Sequence, residues 1–270
     1  MAAIRPAAIV CELSPFLCLA AHGGPYPLLS VGHGFILPPP EAAAFPHLHD
    51  GPPAFAESRL LANANHAIEV RGRPPLAALP ALLRGTAHAV TGLALLDPYR
   101  ELRREPAVGP PALDCQLSAV APSEDVFGYL IGEAPSTTPI LQGWARSKAG
   151  GRVFVRWPNA EQRAIVAQSR IQWMEAPVPI QQALDQARLI LHHGSMLLSE
   201  EALVAGRPQI VAPTYLEHLF TARALALSGL ANIIRPGTGQ NEVSATLSIA
   251  AGDEQWGARA LAFGRSHCCV

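Results

Sequence analysis

The stretch LILHHGSMLLSEEALVAGRPQIVAP, residues 189–213, decides how the chain reads. Its leucine-rich run reads as a buried strand ending at His192-His193-Gly194, and a helix-type run begins at once. That helix stops at Ala205-Gly206 with Pro208 close behind, a strong termination signal, and QIVAP follows as another strand. Strand, helix and strand in this order imply parallel pairing with the helix as crossover. The junction at Gly194 then lies beyond the carboxyl end of a parallel strand, where open α/β sheets hold nucleotides. A helix N-terminus there offers unpaired backbone N–H groups and partial positive charge, both suited to a diphosphate. Gly194 lets the backbone come close to a ligand, and His193 can donate to a phosphate oxygen. Glu201, about two turns into the helix, offers its carboxylate to a ribose diol. Of His192 and His193, which share one strand end, one is expected to be structural.

The same alternation runs outward on both sides. Strands read as DVFGYLI, RVFVRW, IQWMEA, LILHH, QIVAP and ANIIRP, with helices at about 137–147, 159–168, 179–187, 195–205, 217–229 and 241–250. Six strands alternating with helices predict a doubly wound parallel sheet. Residues 97–125 are rich in Pro and charge, which places a domain boundary near Gly109 and divides the chain into 1–108 and 109–270. In the first part, AAIVC reads as a strand, SPFLCLAAH as a helix with Pro15 in its first turn, and PLLSVG as a second strand. A proline-rich loop follows, then a helix at about 56–70 with Leu60, Leu61, Ala64, Ala67 and Ile68 on one stripe.

Composition narrows the function. Apolar residues make up 49% and charged residues 15% of 270, with a net charge of −1. The scattered basic residues exclude a nucleic-acid groove or polybasic membrane patch. No run reaches the roughly 20 apolar residues of a membrane span, and no clean secretion signal opens the chain. The five cysteines, at 11, 18, 115, 268 and 269, fit neither a zinc site nor a disulfide framework. They read as reduced thiols of a cytoplasmic protein. No Asp-x-Asp pair suited to a divalent cation lies near Gly194, so no metal ligands are expected. Met196, Leu197 and Leu198 read as core, and Trp144, Trp157 and Trp173, near strand or helix ends, read as packing groups, with Trp173 beside the loop at residues 176–180.

Residues 192–230, HHGSMLLSEEALVAGRPQIVAPTYLEHLFTARALALSGL, resemble the donor-site signature of the two-domain (GT-B type) glycosyltransferase superfamily, in its UDP-glycosyltransferase-like branch. His193, Gly194, Glu201, Ala202, Leu203, Gly206, Pro208, Pro213 and Ala222 keep the family's spacing. Residues 173–194 are similar to the segment preceding that signature, and Gly34-Phe35 to Pro38-Pro39 resembles a run in the family's acceptor-side domain. The resemblance implies two facing Rossmann-like domains, a UDP- or dTDP-sugar donor, a small-molecule acceptor and no further cofactor. It implies inverting, metal-independent transfer of a hexose-type sugar. Donor diphosphate contacts fall on His193, Gly194, Ser195 and Ser199, and the ribose on Glu201. The sugar falls on Glu217 and His218, and the nucleobase on the loop with Pro177, Val178 and Pro179.

The departures carry equal weight. The family's phosphate-contacting hydroxyl residue is Leu198 here, a loss worth roughly 1–2 kcal/mol that Ser195 or Ser199 could offset. The family's Asp-Gln pair reads Glu217-His218. The β-α units that open the family's first domain, with the loop that supplies its general base, have no counterpart, so no catalytic base is assigned. That domain is expected to be incomplete, leaving sheet edges open. The chain then reads as a truncated enzyme, a fragment, or a subunit completed by another copy or another polypeptide. Two rival functions stay open, a catalytically silent nucleotide-sugar-binding protein and a sugar-nucleotide epimerase.

Overall fold

The computed structural model describes residues 4–49, 51–109, 117 and 124–267. Cys115, Cys268 and Cys269 lie outside the described residues. Two compact units form, Met1–Pro111 and Ala112–Val270.

In the first unit, β1 (Ile9–Cys11), α1 (Pro15–Ala21), β2 (Leu28–His33), α2 (Glu57–Glu69) and β3 (Ala87–Thr91) succeed one another. The sheet is parallel in the order β1-β2-β3. Its core gathers Cys11, Cys18, Leu28, Leu37, Leu83 and Val90. On α2, Ile68 is buried and Leu61 and Ala64 are half-buried, but Leu60 is exposed, so the buried stripe is narrower than the expected one. The proline-rich loop is anchored by a buried ion pair between Arg103 and Asp97, whose guanidinium also donates to the carbonyls of Gly34 (3.0 Å) and Leu37 (2.7 Å). A buried charge pair persists only when its remaining donors are satisfied, and these two carbonyls satisfy them. Among the described residues β1 pairs with β2 alone, and the residues around it are apolar and exposed: Val10 at 67% and Phe16 at 86%, with Ile4 and Leu13 beside them in sequence.

The second unit holds β4 (Glu124–Ile131), α3 (Thr137–Arg146), β5 (Gly151–Arg156), α4 (Ala160–Ala167), β6 (Ile171–Trp173) and α5 (Ile180–Gln186). It continues with β7 (Ala187–His192), α6 (Met196–Val204), β8 (Gln209–Val211), α7 (Leu216–Leu227), β9 (Ala231–Ile233), α8 (Gln240–Gly252) and α9 (Glu254–His267). All strands are parallel in the order β6-β5-β4-β7-β8-β9. Counted within the unit this is 3-2-1-4-5-6, the doubly wound order whose direction reverses between β4 and β7.

The pleat explains the apolar strands. Along β4, Val126 and Leu130 enter one core with Ile140, Trp144, Val243 and Leu247, while Phe127 faces the other core with Ala183, Leu184, Leu198 and Ala202. A sheet covered on both faces needs apolar residues at consecutive positions, and Leu189, Ile190 and Leu191 of β7 are all fully buried. Trp144 of α3 is completely enclosed, with its indole N–H donating to the Ala149 carbonyl at 3.1 Å. Trp144→Ala is expected to destabilise the protein by about 3–5 kcal/mol through the cavity it leaves, read as a lower urea midpoint at unchanged m-value.

Candidate functional site

The strand order reverses between β4 and β7, and the segment 192–198 follows the carboxyl end of β7 at that point. His193 is the clamp. Its Nε2 accepts the N–H of Ile131 at the end of β4 (3.0 Å), which leaves Nδ1–H to donate to the carbonyl of Ala212 just after β8 (2.8 Å). One imidazole thereby ties together the strands on either side of β7. Both ring nitrogens of His193, the residue expected at a phosphate oxygen, are bonded to backbone groups. His192 is committed as well. Its Nδ1 accepts from the N–H of Gly194 (3.0 Å) and Nε2–H donates to Gln209 Oε1 (2.8 Å), while Gln209 Nε2 donates to the carbonyl of Ser199 (3.1 Å). Both histidines thus have both ring nitrogens hydrogen-bonded within the protein.

Gln209 escaped the sequence reading, although a glutamine opening a fully buried strand is itself a signal that a buried polar partner exists.

The α6 helix starts at Ser195, which is exposed and whose hydroxyl makes no capping bond, so the first N–H groups of the helix have no side-chain cap. Gly194 has φ of +100°, and a Cβ there would meet Val211 and the backbone of His218, so only glycine fits this turn. Ser199, expected at the diphosphate, is fully buried and donates back to the carbonyl of Ser195 (2.8 Å), which removes it from ligand reach. Met196 and Leu198 are core, whereas Leu197, also expected in the core, is 53% exposed. Glu201 is half-buried on the same helix.

Beyond β8, His218 shares a hydrogen bond between its Nδ1 and Thr214 Oγ1 (2.9 Å) and stacks on Tyr215 at 3.7 Å. Glu217 is half-buried at the start of α7. A hollow of about 540 Å³ opens at this edge between Pro135, Ser136, Pro213, Thr214, Thr238 and Gln240. The Ser136 hydroxyl is buried without a hydrogen-bond partner. Of the expected base loop, Val178 packs on the core below while Pro177 and Pro179 are exposed. Among the described residues no three His, Cys, Asp or Glu side chains are arranged to hold a metal ion, and no helix is long and apolar enough to cross a membrane.

Burial decides the charge state of this centre. It pushes His192 and His218 down to about 4, with nearby imidazoles adding a smaller push, and it lowers His193 as well. All three rings are neutral at pH 7, and the electropositive feature left at the crevice is the α6 N-terminus.

Neither a protein-family model nor a curated protein matches the sequence. Solved structures do match the fold. The glycosyltransferase VinC, solved in complex with dTDP, superposes with a TM-score of 0.68 at 17% identity, covering 98% of this chain and 68% of VinC. The glycosyltransferase of kitacinnamycin gives 0.64 at 17%, with 98% of this chain and 73% of that one covered. LpCGTa, in complex with UDP, gives 0.64 at 14%, with 98% and 72% covered. The chain therefore has the α/β fold of the GT-B glycosyltransferases, built on two parallel sheets.

Because the folded pKa values of His192 and His218 lie below the ordinary value of 6.5, the unfolded chain binds more protons between about pH 4 and 6.5. Stability is full above about pH 6.5 and is expected to fall as pH drops towards 4. A Tm series across that range checks this, and His192→Gln should flatten the slope.

Proposed function

We propose that this chain binds a nucleoside-diphosphate sugar, UDP- or dTDP-linked, and transfers the sugar to an acceptor hydroxyl. The observation that carries the reading is the uncapped N-terminus of α6 at the direction reversal of a 3-2-1-4-5-6 sheet. The diphosphate lies on the backbone N–H groups that follow Ser195, and Glu201 takes the ribose hydroxyls. The glycosyltransferase structures sharing the fold, two of them holding dTDP or UDP, support this assignment.

The sugar occupies the hollow beside Thr214 and His218. Its walls carry the hydroxyls of Ser136, Thr214 and Thr238 and the amides of Gln142 and Gln240, with no charged side chain. Such a lining suits a neutral hexose, and Glu217 and His218 follow Thr214 at the start of α7. In the reaction the acceptor oxygen forms a bond to the anomeric carbon from the face opposite the diphosphate. The bond from that carbon to the diphosphate oxygen breaks, and its electron pair leaves with the nucleotide. The acceptor proton passes to a base. The growing negative charge is met by the α6 N–H groups, with neither a metal ion nor an imidazolium required. The reading places the protein in the cytoplasm, where the buried thiols of Cys11 and Cys18, 3.5 Å apart, stay reduced.

One observation favours a second reading, in which the chain binds the donor but works only beside another polypeptide. Among the described residues β1 pairs with β2 alone and Val10, Leu13 and Phe16 around it are exposed, as in a sheet that lacks a neighbour. A homologous glycosyltransferase that restores turnover to an otherwise inactive chain would favour this reading over the first.

The direct test is a thermal-shift titration with UDP and dTDP. Saturation at about one hundred times Kd stabilises a binding fold by roughly 2.7 kcal/mol, and Glu201→Ala is expected to remove most of that shift. A folded protein whose Tm does not respond to either nucleotide would overturn the proposal.

A further inference from the structure

Trp157, which the sequence reads as a packing group, is 57% exposed. It follows β5 directly and has φ of +55°. A bulky residue in left-handed backbone is an outlier, the more so immediately before a proline, which normally holds its predecessor extended. Strain of this kind persists only where the surroundings over-determine it, and such places concentrate at ligand sites.

The surroundings are visible here. The N–H of Gly132 donates to the Arg156 carbonyl at 2.7 Å, and a Cβ on Gly132 would run into the Trp157 carbonyl oxygen. On the other side, Asn159 caps α4 in a reciprocal pair with Gln162, whose side-chain amide also donates to the Gly132 carbonyl (2.8 Å) and to Thr138 Oγ1 (3.2 Å). The turn is therefore bolted to the loop that leaves β4, one wall of the crevice that His193 clamps. The guanidinium of Arg156 lies over the indole at 3.9 Å from the ring centre. With one face covered by a cation, the remaining exposure belongs to the opposite face and the rim.

We propose that Trp157 is the stacking platform for the nucleobase of the bound nucleoside diphosphate, an assignment that rests on the donor-site reading above. Two strand spacings, roughly 10 Å, separate β7 from β5, a span that a ribose and diphosphate bridge from the α6 N-terminus to the indole. A planar base with electronegative carbonyls gains from the ring face and from the guanidinium behind it. The loop at Pro177–Pro179, where the family resemblance puts the base, offers prolines and the half-buried Val178 but no aromatic ring.

The test is calorimetric titration of the full chain with UDP, dTDP and inorganic pyrophosphate, in wild type and three variants. Trp157→Ala is expected to weaken both nucleotides by about tenfold or more, the size of a lost base–aromatic stack. Trp157→Phe should stay within about threefold of wild type, and pyrophosphate affinity should be the same in every variant. Trp157→Gly, which takes the left-handed backbone without strain, should keep Tm at or above wild type while losing nucleotide affinity as the alanine variant does. A wild-type chain that binds both nucleotides, together with Trp157→Ala binding them equally well, overturns the platform and leaves the donor site standing. A wild-type chain that binds pyrophosphate and nucleotides with equal affinity also overturns it, because the base then contributes nothing. A wild-type chain that binds none of the three overturns the donor site, and the platform falls with it.

Discussion

The hydrogen bonds of one imidazole hold the crevice of the second unit in shape. A doubly wound sheet parts its loops where the strand order reverses, and nothing in the strand ladder itself sets the spacing of those loops. His193 sets it by accepting from Ile131 and donating to Ala212, which lie on either side of β7. Neutrality is a condition of this clamp, since an imidazolium has no lone pair left for the Ile131 N–H. Burial keeps the ring neutral by lowering its pKa. The buried chain from Gly194 through His192 and Gln209 to Ser199 then fixes the turn against the body of α6.

With both histidines hydrogen-bonded inside the protein, the proposed diphosphate site rests on backbone N–H groups. This changes how the substitutions in the signature are weighed. Leu198 packs into the apolar core with Phe127, Ala183 and Ala202, and Ser199 donates to the Ser195 carbonyl of its own helix. Neither offers a ligand anything, yet the N–H groups of the first turn are indifferent to side-chain identity. At this helix start the hydroxyl still exposed is that of Ser195, at the N-cap.

Much of the fold was legible because the parallel sheet is buried on both faces. LILHH, QIVAP and DVFGYLI announce themselves by continuous apolar character, and Gly206 and Pro208 mark a helix end. The strand Ala87–Thr91 was not seen, since AHAVT is small, carries a histidine and buries only Val90. The site was less legible. Gly194, the open helix start and the neighbourhood of Glu201 follow from local spacing. The partners of His193 lie 62 and 19 residues away, so its commitment could not be read from the signature. The exposures of Leu197 and Trp157 depend on which faces lack a covering layer, a property of the assembled unit and not of the local pattern.

The central claim is that the N–H groups opening α6 receive the diphosphate. Backbone amide spectra of isotope-labelled protein during titration with dTDP test it most directly. The account expects saturable downfield movement of the amides of Ser195, Met196, Leu197 and Leu198, with Ile131 unmoved because its N–H stays on His193. Saturable binding that leaves those four amides unchanged and moves resonances elsewhere would contradict it.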